Sequence, residues 1–568
     1  MNFSEIPIVQ RDEYDVTDSV KLNGSPGTGK TTQSFRRYIE ALDELAIGVE
    51  DTCVVSYRVS LANDLIRRLQ SLDIVDDQDT HDLEKFGTIH AVCKRLLNVS
   101  HRSMVNSSHK QEWCQNRSWK YYSEENEDTV GQLFFDIVDW LAINNKTVYD
   151  ASIAPAYQDF VDEFREVELS DVIQSWNDFK IHNGLYDYHD LLAEVVYQEI
   201  VPDAEILVVD EMHDVYPLMF SVIEMWSKKV NEKGGTVIVA GDTQQVINEY
   251  QGADERFFNE IDIPEITLQE SFVRPPKSHW NLATDMLSKS QTPREIKTNA
   301  TGSISHRTSP QLPSIEPNNP QDILHERASE SDSTMFLARS RAQCRQVSKS
   351  LKQDGILFKG SSGTLAWTRR NNAKRVALYH ILQELSIFHA DDGKEFAEHS
   401  KTKFDADDAL LFIQSLPSEY VDGDKDEFEL LAKSENEIYM YDFVQNTTDE
   451  FWSDLTNSAE SLENLLVNES LKSWLRPALK NNNVSLENSE QLDVTVQTIH
   501  ASKGSEADVV ILYDGITSKI KDSMFVDVDV KENEHRVWYV ALTRSKRDLV
   551  IVHDGFDYTI PILGGDLV

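Results

Sequence analysis

Gly24-Ser25-Pro26-Gly27-Thr28-Gly29-Lys30-Thr31 is a glycine, four free positions and then Gly-Lys-Thr, the spacing of a loop that cradles phosphates. Its glycines let the backbone turn tightly and bring N–H groups to phosphate oxygens with no side chain between. Lys30 is placed to neutralise the outer phosphates, and the Thr31 hydroxyl to meet Mg²⁺. The flanks agree. Ser19-Val20-Lys21-Leu22 supplies a short strand, and Thr32 to Leu45 sets Phe35, Ile39, Leu42 and Leu45 near helical spacing. A helix starting here aims its positive N-terminal end at the phosphates. Gly27, Thr28, Gly29, Lys30, Thr31 and Thr32 are therefore the candidate nucleotide-binding residues, and upstream Gln10 stands where an adenine-reading glutamine is wanted.

Outward from the loop, Thr52-Cys53-Val54-Val55-Ser56-Tyr57 reads as a buried strand, and Phe86-Gly87-Thr88-Ile89-His90 leads into a helical pattern from Val92 to Leu97. Strand, loop, helix, strand, helix begins a parallel α/β sheet. The sheet resumes at Ala204-Glu205-Ile206-Leu207-Val208-Val209-Asp210-Glu211. An apolar strand ending in two carboxylates gives Asp210 to hold Mg²⁺ and Glu211 to polarise an attacking water. The next strand, Thr236 to Ala240, ends in Gly241-Asp242-Thr243-Gln244-Gln245, with Gln245 as a polar phosphate sensor. Between the two parts, residues 98–185 are helical in pattern and acid-rich, which marks an insertion with a solvated face.

Ser290 to Pro320 is rich in Ser, Thr, Pro and Asn and reads as a surface connection. A second α/β pattern starts at Thr334-Met335-Phe336-Leu337-Ala338 and returns after a helical, acidic stretch with strands at 494–500, 509–512 and 548–552. The expected architecture is α/β: two P-loop NTPase-type domains with parallel sheets, each interrupted by a mainly helical insertion. The first occupies 1–97 and 186–270 around an insertion at 98–185. The second occupies 271–380 and 491–568 around an insertion at 381–490.

The 568 residues exceed what one core organises. With 97 Asp+Glu against 55 Lys+Arg, the formal charge is −42. Such an excess, spread along the whole chain, suits concentrated salt, where self-repulsion is screened and carboxylates keep the surface hydrated. The expected setting is the cytoplasm of a halophilic cell, or a virus growing in one. Cys53, Cys93, Cys114 and Cys344 lack metal-ligand spacing, so reduced thiols are expected. No signal peptide and no bilayer-spanning apolar run is present.

Taken in order, these blocks resemble the UvrD/Rep group of superfamily 1 DNA helicases. Ser56-Tyr57-Arg58 to Ala62 resembles its motif Ia, and Gly87-Thr88-Ile89-His90 to Leu97 its motif Ib. Asp187-Tyr188-His189-Asp190-Leu191-Leu192 matches the segment preceding motif II. Asp210-Glu211-Met212-His213-Asp214 resembles motif II, and Gly241 through Gln245, Ile247, Tyr250 and Gly252-Ala253 resembles motif III. Ser271-Phe272-Val273-Arg274 is similar to motif IV. Thr498-Ile499-His500-Ala501-Ser502-Lys503-Gly504-Ser505-Glu506 is similar to motif V, and Glu534 to Arg544 to motif VI.

The resemblance implies two RecA-like halves that bind ATP and Mg²⁺ in the cleft between them and step along a DNA strand. It makes Thr31 and Asp210 the metal-site residues, and Glu211, Asp210 and Gln245 catalytic on the first side. Arg274 and Arg544 become arginine fingers, Phe272 an adenine neighbour and Glu506 a ribose partner. Tyr57 and Tyr250 are implied to stack on bases, and Thr88, His90, Thr498 and His500 to contact phosphates. The implied partners are single-stranded DNA and single-strand/duplex junctions, without a membrane, and a replication or repair protein. The implied activity is ATP-dependent, 3′–5′ DNA unwinding in replication, repair or recombination. The alternative is a DNA-stimulated ATPase that strips proteins or assists a nuclease while unwinding little.

Several residues depart from the family pattern. His213 stands for a usual Gln, Tyr250 for Trp and Gln251 for Arg; Val273 is an extra residue before Arg274, and Ser505 and Ala507 replace bulkier apolar residues.

Overall fold

The computed structural model describes residues 6–57, 66–70, 72, 74–75, 83–121, 129–163, 168–249, 252–271, 274–308, 332–353, 358–360, 381, 385, 393–422, 425–434, 437–456, 493–553 and 558–559. The chain divides into two compact units: Met1–Val273 with Ser290–Asn299 and Glu532–Val537, and Arg274–Lys289 with Ala300–Lys531 and Trp538–Val568.

The first unit is built on β1 (Val20–Gly24), β2 (Thr52–Ser56), β3 (Phe86–Thr88), β4 (Ile206–Asp210), β5 (Thr236–Gly241) and β6 (Glu265–Leu268), in the order β3-β2-β4-β5-β1-β6. Every pairing is parallel. Such a sheet is covered on both faces at its centre, which is why β2, β4 and β5 read as nearly unbroken apolar runs. The two-residue period still sorts them. Val20, Leu22, Val54, Ile206, Val208, Ile238 and Ala240 share one core with Phe35, Tyr38 and Leu42 of the helix Lys30–Leu45. Cys53, Val55, Leu207, Val209, Val237 and Val239 share the other with Leu191, Val195, Val222 and Trp226, from the helices Tyr188–Tyr197 and Pro217–Glu232. Trp226 is wholly buried and its indole N–H donates to the Ile200 carbonyl at 2.9 Å; truncating such a residue to Ala costs about 3–5 kcal/mol.

Register decides where the motifs end up. Ser56 pairs with Thr88 on one side and Asp210 on the other, and Asn23 pairs with Gly241. The P-loop, Tyr57, Thr88, Asp210–Glu211 and Asp242 therefore share the carboxyl edge of one sheet, where open α/β sheets bind their ligands. A short parallel pair, β7 (Glu270–Ser271) with β8 (Lys297–Thr298), fastens the Ser290–Asn299 strap to this unit.

The insertion of the first unit has its own core. Its helices Ser107–Gln115, Val130–Ile143, Tyr157–Glu163 and Leu169–Asn183 gather Trp113, Trp119, Phe134, Phe135, Phe160 and Trp176. Trp113 stacks on Phe134 at 4.9 Å. Two helix starts are fixed by reciprocal caps, Asn106 with His109 and Thr129 with Gln132, each satisfying backbone donors that the helix itself cannot.

The second unit carries β9 (Ser303–Thr308), β10 (Thr334–Ala338), β11 (Lys403–Asp405), β12 (Glu437–Tyr439), β13 (Val494–Thr498), β14 (Ala507–Tyr513) and β15 (Ser545–His553). Its main sheet runs β13-β10-β14-β15-β9, all parallel. Phe336, Val496, Val509, Ile511 and Val550 fill one of its faces. The described part of its insertion is helical apart from the antiparallel pair β11–β12. It surrounds a separate core of Phe404, Phe412, Phe428, Phe443, Phe451 and Trp452.

The α/β class with two parallel sheets and mainly helical insertions is the architecture expected from sequence. The stretch 290–320 is different from its reading as a surface connection. It holds β8, the edge strand β9 and a strap bound to the first unit, while 309–320 lie outside the described residues. Ser303-Ile304-Ser305-His306-Arg307-Thr308 has one apolar residue, and an edge strand needs few, so the apolar pattern that reveals strands was missing. All four cysteines are free. Among the described residues no helix is long and apolar enough to cross a membrane.

Candidate nucleotide and nucleic-acid sites

The P-loop takes its shape from residues that only glycine serves well. Gly27 and Gly29 have φ of 78° and 79°, a left-handed backbone that other residues adopt at a cost of about 1–2 kcal/mol. A Cβ on Gly24 would lie 2.4 Å from the Thr28 hydroxyl, which donates to the Ser25 carbonyl at 2.8 Å. The helix Lys30–Leu45 opens at Gly29 without a side-chain cap, so its first N–H groups face the loop, as an anion site requires.

Lys30 donates to the Gly24 carbonyl at 2.8 Å. Burial draws its pKa below the ordinary lysine value, and Asp242, Glu211 and Asp210 pull the other way. Thr31 donates to Asp210 Oδ2 at 2.8 Å, and the other Asp210 oxygen accepts the Glu211 N–H at 2.9 Å. Burial, reinforced by the Glu211 charge, pushes the Asp210 carboxyl up to about 7. A hydroxyl and a carboxylate side by side, beside a buried lysine, are hard oxygen donors that fit Mg²⁺ next to phosphates. Glu211 itself has φ 56°, a strained backbone of the kind that collects at working sites.

His213 links this carboxylate to the following strand. Its Nδ1 accepts the Asp242 N–H at 3.1 Å, so Nε2 carries the ring hydrogen and faces Glu211 Oε2 at 3.3 Å. Glu211, His213 and Asp214 lie close enough to suggest a metal trio. However, a protonated Nε2 has no lone pair to offer, so His213 supplies no metal-ligating atom on the Glu211 side. Gln245 donates to Asp242 Oδ2 at 2.6 Å. The Gln10 side chain bonds Glu13 at 3.3 Å, while Gln33, Arg36 and Arg37 tie the surrounding N-terminal segment to the first helix. Thr32 lies in the first turn of that helix.

Arg294, absent from the sequence-derived set, enters this site from the strap. It reaches Asp242 Oδ1 at 3.1 Å, Ser25 Oγ at 3.3 Å, Asn23 Oδ1 at 2.6 Å and Thr243 Oγ1 at 3.2 Å. No motif spacing marks it, because it lies 51 and 52 residues beyond Thr243 and Asp242, and 269 and 271 beyond Ser25 and Asn23, in a stretch that reads as loop.

The second unit sorts its candidates onto two edges. Thr498 pairs with Ala338 at the carboxyl end of β13, whereas Ala507 and Ser545 pair at the amino ends of β14 and β15. Thr498 and His500 are thus at one edge, and Glu506 and Arg544 at the other. Arg544 is almost wholly buried, donating to the Val540 carbonyl at 2.8 Å, the Ser505 carbonyl at 3.4 Å and Thr543 Oγ1 at 3.0 Å. Arg274 donates to the Thr543 carbonyl at 2.8 Å and ion-pairs with Glu506, which Lys546 also holds at 2.8 Å. Burial works to raise the Glu506 pKa, but these cations outweigh it and hold the carboxyl below its usual value. The described partners of Glu506 are thus two cations.

The nucleic-acid candidates fall on matching local structures. Thr88 accepts the Ala91 N–H at 3.3 Å and Thr498 the Ala501 N–H at 3.3 Å, each within the run Thr-Ile-His-Ala. Ile89 and Ile499 are buried, which fixes the direction of both turns. Burial lowers His90 to about 4, helped by His189, and lowers His500 to about 4, helped by Arg339 and Lys503. His90 bonds the Tyr216 hydroxyl at 2.9 Å and sits edge-on to the exposed Tyr188. Tyr188 is a further aromatic that sequence reading quoted in a motif but did not single out. Tyr57 follows β2 and packs partly buried on the core. Tyr250 and Phe272 lie outside the described residues.

Comparison with known families gives two matches. Residues 10–263 match the UvrD/REP helicase N-terminal domain, and residues 394–554 match the UvrD-like helicase C-terminal domain. A 119-residue segment is 30% identical to the DNA helicase II of Rickettsia typhi, covering 20% of this chain and 18% of that protein. The aligned part is therefore about a fifth of either chain.

Proposed function

Because the chain is built from UvrD/REP helicase N-terminal and UvrD-like C-terminal domains, we propose that it is an ATP-driven motor that travels along single-stranded DNA and separates duplexes. The observation that carries this reading is the cluster of Lys30, Thr31, Asp210 and Glu211, with Thr31 bonded to Asp210. Lys30 and the P-loop N–H groups bind the phosphates of ATP and align the outer one. Glu211 draws a proton from the attacking water, held at its angle by His213, while Gln245 senses the outer phosphate. Thr31 and Asp210 hold Mg²⁺, which when bound neutralises charge on the phosphate oxygens. Arg274 and Arg544 stabilise the charge that develops during transfer.

Tyr57, with Tyr188 and Tyr250, stacks on bases without reading their sequence. Thr88, His90, Thr498 and His500 position the backbone. We infer 3′–5′ movement in replication, repair or recombination, in a salt-rich cell or its virus, where stacking carries more of the affinity because counterion release weakens with salt. The test is strand displacement on 3′-tailed and 5′-tailed duplexes in molar KCl, with ATP turnover measured alongside. Displacement of the 3′-tailed substrate supports the reading. Turnover without displacement of either replaces it with a DNA-stimulated ATPase that remodels protein–DNA complexes.

A further inference from the structure

Asp242 is wholly buried and stands at the centre of the sensor loop. Its backbone N–H goes to His213, its Oδ1 accepts the Gln244 N–H at 3.1 Å, and its Oδ2 accepts the Gln245 amide at 2.6 Å. The cation on Oδ1 is Arg294, whose side chain is only 13% exposed. The same guanidinium reaches Asn23 at the end of β1, Ser25 in the P-loop and Thr243 beyond β5. Bonds also run the other way: Gln244 donates to the Thr292 carbonyl at 2.8 Å and accepts the Arg294 N–H at 3.1 Å. The strap and the sensor loop are thus stitched through both side chain and backbone.

We propose that Arg294 is a positioning residue of the nucleotide site, which through Asp242 sets the Gln245 amide against the outer phosphate held by Lys30. This rests on the reading that the site hydrolyses ATP. A planar fork of five N–H donors spans Asn23, Ser25, Asp242 and Thr243 at once. A lysine in its place keeps the charge beside Asp242 but not the span. The loop that carries Gln245 is thereby fixed to the loop that binds phosphate, and a donor fixed in advance need not reorganise as charge develops. The strap's ends continue in sequence into the second unit at Lys289 and Ala300.

A buried ion pair that only holds the fold together makes a different prediction, so the test separates the two. Arg294→Lys and Arg294→Gln are each made in the full-length protein, alone and combined with Gln245→Ala. Melting temperature, kcat and KM for ATP are measured with saturating single-stranded DNA. Arg294→Lys is expected to melt close to wild type, to lose at least about ten-fold in kcat, and to keep KM within about three-fold. In the Gln245→Ala background it should cost nothing further, since the residue through which it acts is gone. An unchanged kcat, a loss that multiplies with that of Gln245→Ala, or a loss that tracks melting temperature overturns the positioning role. A wild-type protein that turns over no ATP, with or without DNA, overturns the underlying reading and this inference together. A turning-over wild type with an unaffected Arg294→Lys overturns the inference alone.

Discussion

Individual side chains in the site are distinguished by what surrounds them. Lys30 and Asp210 were legible from spacing alone, because a P-loop and an apolar strand ending in Asp-Glu each constrain several positions at once. Lys30→Ala should abolish ATP turnover, whereas Glu211→Gln should keep nucleotide and DNA binding but lose hydrolysis, as read by a binding titration beside a phosphate-release assay. The histidines were legible as positions but not as charge states. His90 and His500 are half-buried and held near 4, below the ordinary 6.5, so both are neutral at pH 7. Between about 6.5 and 4 the unfolded chain takes up protons that these rings refuse. Their contribution to stability is therefore complete above 6.5 and lost as pH falls towards 4. His90 is faced by His189, Tyr188 and Tyr216, so His90→Gln should flatten the fall of melting temperature between pH 7 and pH 5. A neutral ring releases no counterion, so the same variant should leave the salt slope of DNA binding unchanged. A charged contact would lower that slope by about 1.

Among elements, the strands were easier to read than the loops and strap that join them. β2, β4, β5, β10 and β14 show as apolar runs because both faces are buried. β9 and the strap carry no such signal, and the role of Arg294 depends on folding rather than on any local pattern. The loops that were legible are those where glycine is mandatory. Gly24→Ala should sharply reduce nucleotide affinity with little change in the first sheet. The new methyl must displace Thr28, while the strand before it stays paired to β5 and β6; nucleotide titration with circular dichroism reads both. The segment from Thr498 to Glu506 passes from the carboxyl to the amino edge of the second sheet, so one short element links the proposed phosphate contacts to the residue that pairs with Arg274. Arg274 and Arg544 both bond Thr543. Arg544→Ala should lower turnover by tens-fold while sparing ATP binding, and Arg274→Ala should add less than its own separate effect. Full additivity in steady-state turnover would show that the shared threonine does not couple them.

Across the whole molecule, two parallel sheets with helical insertions follow from a repeated switch between short apolar runs and helical periodicity. That switch was visible in the sequence, whereas register and the pairing of distant segments were not. The charge of −42 bears on function at this scale. DNA binding by such a chain should depend on a local track and on stacking, so Tyr250→Ala should keep much of the ATPase but lose most strand displacement, and Tyr250→Trp should keep both. A parallel fall of melting temperature, ATPase and displacement in Tyr250→Ala would make it a core residue instead. The central claim is that the P-loop site burns ATP in response to DNA, and it is tested most directly by ATP turnover with and without single-stranded DNA in high KCl. The account predicts that DNA stimulates the wild type and that Glu211→Gln, though it still binds both ligands, shows no turnover under either condition. Equal turnover with and without DNA, or near wild-type hydrolysis by Glu211→Gln, would contradict it.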